Sequence, residues 1–89
     1  MTSWTAEKLE DAPDKYRITN SYGSRLVMVA IAPNPGALAR VVGAKIDAHT
    51  LDSPVDAGAH FDVIIKGGGI RVTATDPGVK HVYWDFDPS

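Results

Sequence analysis

Two apolar segments joined by glycines constrain the fold of this chain more than any other feature. The segments are residues 61–66 and 70–75, with Gly67 and Gly68 between them. Tight turns between antiparallel strands need positive φ, which glycine adopts without steric cost, so a two-residue turn here would give one wholly apolar face. The facing residues would be Ile65 and Ile70, Val63 and Val72, and Phe61 and Ala74. The sequence therefore predicts a β-hairpin over residues 61–75.

The composition fits one small folded domain that spans residues 1–89. Of the 89 residues, 44% are hydrophobic and 22% charged, which is typical of a globular protein and not of a disordered one. The chain has no cysteine, which excludes disulfides and cysteine nucleophiles. Its longest apolar run, residues 26–32, is too short to span a bilayer, and residues 1–7 lack the pattern of a signal peptide. We therefore expect a cytoplasmic domain that does not bind membranes.

Charge is distributed in blocks along the chain, although the net charge is only −2. Residues 1–14 carry four acidic side chains and one lysine, residues 15–46 carry five cations and no acid, and residues 47–62 carry four aspartates. Such blocks can form separate acidic and basic patches that steer a partner protein. They can equally interleave in the folded chain and neutralise each other.

The first half of the chain is predicted to form a short helix and a hairpin. Residues 3–12 have a serine or threonine cap at one end and a proline after the other, which favours a helix. Residues 16–20 form a short alternating strand. Residues 25–32 form a second strand, and its positions 26–32 are all apolar, which is typical of a central strand covered on both faces. The two strands would form a first hairpin.

Residues 35–47 carry the pattern of the main helix. Asn34 is a good helix cap and Pro35 suits the first helical position. Four apolar residues then recur at helical spacing, namely Leu38, Val41, Val42 and Ile46. A glycine and two β-branched valines weaken this helix, so a strand over residues 39–48 is the alternative.

Residues 80–87 alternate apolar and polar side chains and are predicted to form the last strand. A tight turn before them would put Trp84 and Phe86 on the polar face of the sheet, which is the face opposite Val72. A loop one residue longer puts them on the same face as Val72. We expect the longer loop because it buries both rings. The predicted fold class is therefore α+β, a small antiparallel sheet of about four strands in two hairpins, with one main helix and a short N-terminal helix.

The segment Asn34-Pro35-Gly36-Ala37-Leu38-Ala39-Arg40-Val41-Val42 resembles the first strand-to-helix turn of ACT domains, which are small ligand-sensing modules. In that family, an apolar strand, a Pro-Gly turn of this type and an Ala/Leu/Arg/Val-rich helix occur in this order. The turn helps to bind amino acids, often at a dimer interface. The resemblance implies, as an alternative function, a small regulatory module that binds an amino acid at Asn34, Gly36 and Ala37.

No pattern of residues predicts catalysis, a metal ion or a cofactor. None of the serines lies in a Gly-x-Ser-x-Gly elbow, and the histidines lack the spacing of a zinc protease. Lys66 and Arg71, at the tip of the predicted hairpin, would suit a nucleic-acid-binding accessory protein. The chain is acidic overall, with a pI of about 5.8, which disfavours phosphate binding. We expect no enzyme activity, no cofactor and no metal site, and keep nucleic-acid binding at residues 66–71 as a further alternative.

These observations favour a small protein-binding module that acts by surface complementarity. Inhibitors, adaptors and assembly factors of viruses and mobile elements are of this kind. The charge blocks and the aromatic last strand motivate the prediction. An exposed sheet edge or the last strand would serve as the contact of a homodimer. The expected partner-binding residues are Ile64, Lys66, Arg71, Tyr83 and Trp84.

Overall fold

The fold is all-β. A computed structural model describes residues 3–42, 50–51 and 53–88, and seven strands form two antiparallel sheets within these residues. The strands are β1 (Trp4–Lys8), β2 (Lys15–Asn20), β3 (Val27–Pro33), β4 (Leu38–Val41), β5 (His60–Lys66), β6 (Ile70–Thr75) and β7 (His81–Phe86). The four-stranded sheet has the order β1-β2-β5-β4 and the three-stranded sheet the order β3-β6-β7. The predicted α+β class is wrong, because the described residues contain no helix.

The two sheets bury their apolar faces against each other as a sandwich. Residues alternate between buried and accessible along most strands, which is the pattern of a sheet with one face in a core. Tyr16 of β2 meets Phe86 of β7 edge to face, with ring centroids 5.5 Å apart. The strand order is the one found in constant-type immunoglobulin sandwiches. A shared strand order by itself carries no function.

The predicted hairpin at residues 61–75 is wrong in its pairing and right in its strands. β5 pairs with β2 and β4, whereas β6 pairs with β3 and β7, so the two strands lie in different sheets. Gly67, with φ of 78°, lies in the connection that takes the chain from one sheet to the other. Ile65 and Ile70 are both buried, as predicted. The apolar faces of the two strands pack against each other from opposite sheets. In a simple hairpin both strands would share one apolar face, and a further layer would have to cover it.

The predicted first hairpin and the central position of β3 are also wrong. β2 and β3 belong to different sheets, and β3 lies at the edge of the three-stranded one. A segment around Leu51 and Val55 covers its outer edge. The N–H of Leu51 donates to the carbonyl of Val29 at 3.0 Å, and Val55 forms an antiparallel bridge with Leu26. This cover satisfies part of the backbone at the edge of β3, while Met28 on the same strand remains 77% exposed.

Both predicted helices are replaced by strands. Near the N-terminus, β1 forms because its pairing with β2 buries Trp4 completely and provides hydrogen-bond partners for its backbone. A short isolated helix, in contrast, is unstable in water. No helix among the described residues is long and apolar enough to cross a membrane.

The predicted main helix begins where the structure has a type II turn. The N–H of Ala37 donates to the carbonyl of Asn34 at 2.8 Å, and Gly36 has φ of 86°. Proline at the second position and glycine at the third are the residues that this turn favours. Strand β4 follows, so the alternative of a strand is confirmed for residues 39–41. Residues 43–49 lie outside the described part of the chain.

The last strand and its longer loop are confirmed. β7 pairs with β6 so that Trp84 lies opposite Val72 and Val82 opposite Ala74. This register puts Trp84 on the apolar face. The five residues between β6 and β7 close with a hydrogen bond from the N–H of Asp76 to the carbonyl of Lys80, at 2.9 Å.

Candidate functional site

The charge blocks of the sequence interleave in the fold and neutralise each other over much of the surface. Three cations of the basic block, residues 15–46, bind aspartates from the two acidic blocks. A fourth ion pair joins β6 to β7. The pairs are Lys15 with Asp11 (3.2 Å), Arg17 with Asp62 (3.0 Å), Arg25 with Asp56 (2.6 Å) and Arg71 with Asp85 (2.7 Å).

Two cations on neighbouring strands of the four-stranded sheet form no ion pair with any described residue. They are Arg40 on β4 and Lys66 on β5, and both are exposed on the outer face of the sheet. Because exposed pairs elsewhere on the surface already neutralise each other, these two side chains leave a local excess of positive charge.

An apolar groove lies between these cations. Leu38 is paired directly with Lys66, and Arg40 with Ile64, so apolar and cationic side chains alternate in both directions across the two strands. The groove has a volume of about 390 Å³, and Pro33 is also part of its lining. Leu38 is 71% exposed, although leucine is commonly buried. We call the set Pro33, Leu38, Arg40, Ile64 and Lys66 the basic groove.

The local sequence explains how β4 places its side chains. The type II turn before it directs the chain alongside β5, and the four residues of β4 then alternate exposed and buried. Ala39 and Val41 face the core, while Leu38 and Arg40 face outward. Sequence reasoning missed Leu38 and Arg40 as site residues, because the helical spacing assigned Leu38 to a buried stripe. The alternation of Leu, Ala, Arg and Val after a Pro-Gly turn was the signal for a strand.

The five predicted partner-binding residues do not form one surface. Ile64 and Lys66 lie together in the basic groove. Arg71 and Tyr83 lie on the outer face of the other sheet, 5.9 Å apart from guanidinium carbon to ring centroid. Trp84 points to the core side and is half-buried, with its ring stacked on Phe86 at 5.5 Å.

Arg71 is already engaged within the protein. Its Nε and Nη2 donate to the two carboxylate oxygens of Asp85, at 2.7 and 3.1 Å. This two-pronged hydrogen bond raises the pKa of Arg71 and lowers the pKa of Asp85. Since Lys66 and Arg71 also lie in different sheets, the hairpin tip on which nucleic-acid binding was predicted is not formed.

The turn that resembles an ACT domain uses its amide groups internally. The N–H of Asn34 donates to the carbonyl of Gly69 at 2.9 Å, and the N–H of Ala37 closes the turn. Ala37 is buried. The turn leads to a strand, so it lacks the free N–H groups of a helix start that would attract the carboxylate of an amino acid.

A second cavity, of about 310 Å³, lies at the other end of β5 beside Phe61, His60 and Leu51. Its described lining contains no lysine, arginine, aspartate or glutamate. Among the residues that the structure describes, no three histidine, aspartate or glutamate side chains lie close enough to hold a metal ion. The basic groove, in contrast, combines apolar area with two cations that no described carboxylate neutralises.

Comparison with known proteins finds no family model, no curated protein and no solved structure that matches this chain.

Proposed function

We propose that this protein is a non-enzymatic binding module that holds an acidic segment of another protein in the basic groove. The observation that carries the proposal is the exposed Leu38 beside two cations that no described carboxylate neutralises. A partner segment with a bulky apolar side chain would cover Leu38 and Ile64. Its carboxylates would pair with Arg40 and Lys66.

The energetics of this contact follow from its composition. Removing apolar area from water stabilises a complex by about 25 cal/mol per Å² before the costs of association are subtracted. Charges at the rim of a groove mainly increase the association rate and select the partner. Leucine and isoleucine in the groove would thus supply affinity, and the two cations would supply the preference for acidic partners.

The titratable groups with shifted pKa values support a role that is not catalytic. Hydrogen bonds lower the pKa of Asp76 and Asp85 and raise the pKa of Tyr22. Each shift favours the form that the group already has at neutral pH. General acids and bases need the opposite, a pKa moved toward the working pH. An inhibitor, adaptor or assembly factor needs only the complementary surface.

A selection of random peptides displayed on phage, with the immobilised protein as target, tests the proposal. We expect the enriched peptides to combine acidic residues with a bulky apolar residue. Leu38→Asp should abolish their binding, because it places a carboxylate in the apolar groove. The double variant Arg40→Glu, Lys66→Glu should weaken binding at least about tenfold in a fluorescence titration, and wild-type affinity should fall with added salt.

The matched control is the double variant Lys8→Glu, Lys80→Glu. It changes the net charge by the same amount at two exposed lysines that form no ion pair with described residues and lie outside the groove. Its affinity for the enriched peptides should match that of the wild type. Thermal unfolding would establish that each variant is folded. Enriched peptides that bind the Leu38→Asp variant as tightly as the wild type would contradict the proposal.

A further inference from the structure

β7 is a free edge of the three-stranded sheet among the described strands. It pairs with β6 on one side only, over six residues without a proline or a bulge. The opposite edge of the sheet is β3. It is partly covered by Leu51 and Val55, which form backbone hydrogen bonds with it and with the preceding Leu26. An uncovered regular edge is a template for a further strand.

The hydrogen bond that closes the β6–β7 loop determines which backbone groups of β7 face outward. The N–H of Asp76 donates to the carbonyl of Lys80, and the N–H of Lys80 donates back to the Asp76 side chain, so the backbone groups of these two residues face each other across the hairpin. Bonded pairs alternate along an antiparallel ladder. The N–H and C=O groups of Val82, Trp84 and Phe86 therefore point toward β6. Those of His81, Tyr83 and Asp85 point toward the free edge.

We infer that β7 pairs antiparallel with β7 of a second copy of this chain, about a two-fold axis at Tyr83. In this register Tyr83 lies opposite its own counterpart, and His81 lies opposite Asp85 of the second copy. All three residues with outward-facing backbone groups then exchange bonds with the second strand. The two three-stranded sheets become one sheet of six strands. This surface is separate from the basic groove.

The side chains on both faces of the strand fit this register. On the outer face, Tyr83 is 63% exposed and meets another tyrosine, while each His81 can donate a hydrogen bond to an Asp85 carboxylate. On the core side, Val82 lies opposite Trp84 of the second copy. This contact would cover the half-buried tryptophan and extend the core.

The other regular edge, β1, fits a second copy less well. Its bonds to β2 include the N–H of Ser21 to the carbonyl of Ser3, so its outward groups belong to Trp4, Ala6 and Lys8. A symmetric pairing about Ala6 would put Lys8 opposite Trp4, which is already completely buried, so it would cover no partly exposed ring. The half-buried Trp84 therefore favours β7.

Sedimentation velocity of the purified protein over a wide concentration range tests the inference. We expect a reversible monomer–dimer equilibrium. Tyr83→Pro should weaken dimerisation at least about tenfold, because it removes an outward-facing N–H and leaves the bonds to β6 intact. The matched control is Ala6→Pro, which removes an outward-facing N–H from β1 and should leave the dimer unchanged.

A charge exchange provides a test that does not depend on proline. His81→Asp places like charges opposite each other in the dimer, and Asp85→His removes both carboxylates, so each variant alone should dimerise about tenfold more weakly. An equimolar mixture should restore dimers, since every contact then joins an aspartate to a histidine. A wild-type protein that stays monomeric, a dimer unaffected by Tyr83→Pro, or a mixture that restores nothing would overturn the inference.

Discussion

Asn20 is the buried polar side chain in the described part of the core, with 1% of its surface exposed. Its Nδ2 donates to the carbonyls of Ser24 and Val55, both at 2.9 Å, and its Oδ1 accepts from the N–H of Tyr22 at 2.8 Å. One side chain thus joins the end of β2 to the loop that follows it and to the segment that covers β3. Buried polar groups stabilise a fold only when they are satisfied in this way.

Asn20→Asp should therefore lower the free energy of unfolding by about 3 kcal/mol, since the new carboxylate keeps the shape but cannot donate to the two carbonyls. Urea denaturation monitored by tryptophan fluorescence measures the change. Asn34→Asp, at an exposed asparagine, is the matched control and should stay within about 0.5 kcal/mol of the wild type. Equal effects of the two variants would argue against the role of Asn20.

Gly69 is required for a different reason, which is space. A Cβ atom at this position would lie 2.7 Å from the carbonyl oxygen of Phe86, a contact that the backbone of β7 cannot relieve without moving. Gly69→Ala should therefore lower the free energy of unfolding by about 2 kcal/mol, which a lower midpoint of thermal unfolding would show. Gly78→Ala is the control, because its Cβ would meet only a side-chain oxygen at 3.5 Å. If the two alanines cost the same, the close approach at Gly69 is not limiting.

At the scale of elements, Asp76 organises the β6–β7 loop. Its Oδ1 accepts from the N–H groups of Lys80 (2.8 Å) and Gly78 (2.9 Å), and its Oδ2 accepts from the Tyr22 hydroxyl at 2.8 Å. The bond from the Lys80 backbone is the largest cause of the lowered pKa of Asp76, followed by the bond from Tyr22. A carboxyl whose pKa is lower in the folded state stabilises the fold above its unfolded pKa. This stability is lost as the pH falls through the folded pKa.

We expect the stability of the protein to fall as the pH is lowered below about 4, and Asp76→Asn to make that fall less steep. Urea denaturation at a series of pH values measures the slope. Tyr22→Phe removes one of the three donors and should give an intermediate slope. Some slope should remain in both variants, because Arg71 also lowers the pKa of Asp85. An unchanged slope in Asp76→Asn would refute the assignment.

The local pattern of apolar and polar residues predicted most of the strands, but it did not predict which strands pair in the same sheet. The apolar residues of β5 and β6 were recognised because alternation is a property of each strand alone. The pairing was wrong because Gly67 and Gly68 suit a tight turn and a crossing between sheets equally well. The Asn34-Pro35-Gly36 turn shows the same ambiguity, since these residues favour both a helix start and a type II turn. Pairing with β5 decided between them, and that contact is distant in sequence.

The candidate site was partly predictable for the same reason. Ile64 and Lys66 were predicted as partner-binding residues because they alternate with apolar residues that face the core from the same strand. Leu38 and Arg40 belong to the strand that was interpreted as a helix, so their position beside Ile64 could not be derived. Which cations would be neutralised could not be predicted either, because strand pairing alone brings Arg17 and Arg71 close to their aspartate partners.

In the whole molecule, the basic groove and the β7 edge belong to opposite sheets. The groove opens on the outer face of the four-stranded sheet, whereas β7 borders the three-stranded one. Loss of peptide binding in the Leu38→Asp variant should therefore leave the oligomeric state unchanged, and loss of the dimer in Tyr83→Pro should leave peptide affinity unchanged. The two proposals can fail separately.

This separation also determines how the protein would behave toward a partner with repeated binding sites. Two copies joined at β7 would carry two accessible grooves and become bivalent. Binding of a first acidic segment would raise the effective concentration of the second, so avidity could exceed the affinity of either groove by 10² to 10⁴, as an order of magnitude. A weak groove would then suffice for tight capture of a repetitive or assembled target, while single copies of the same segment would exchange freely.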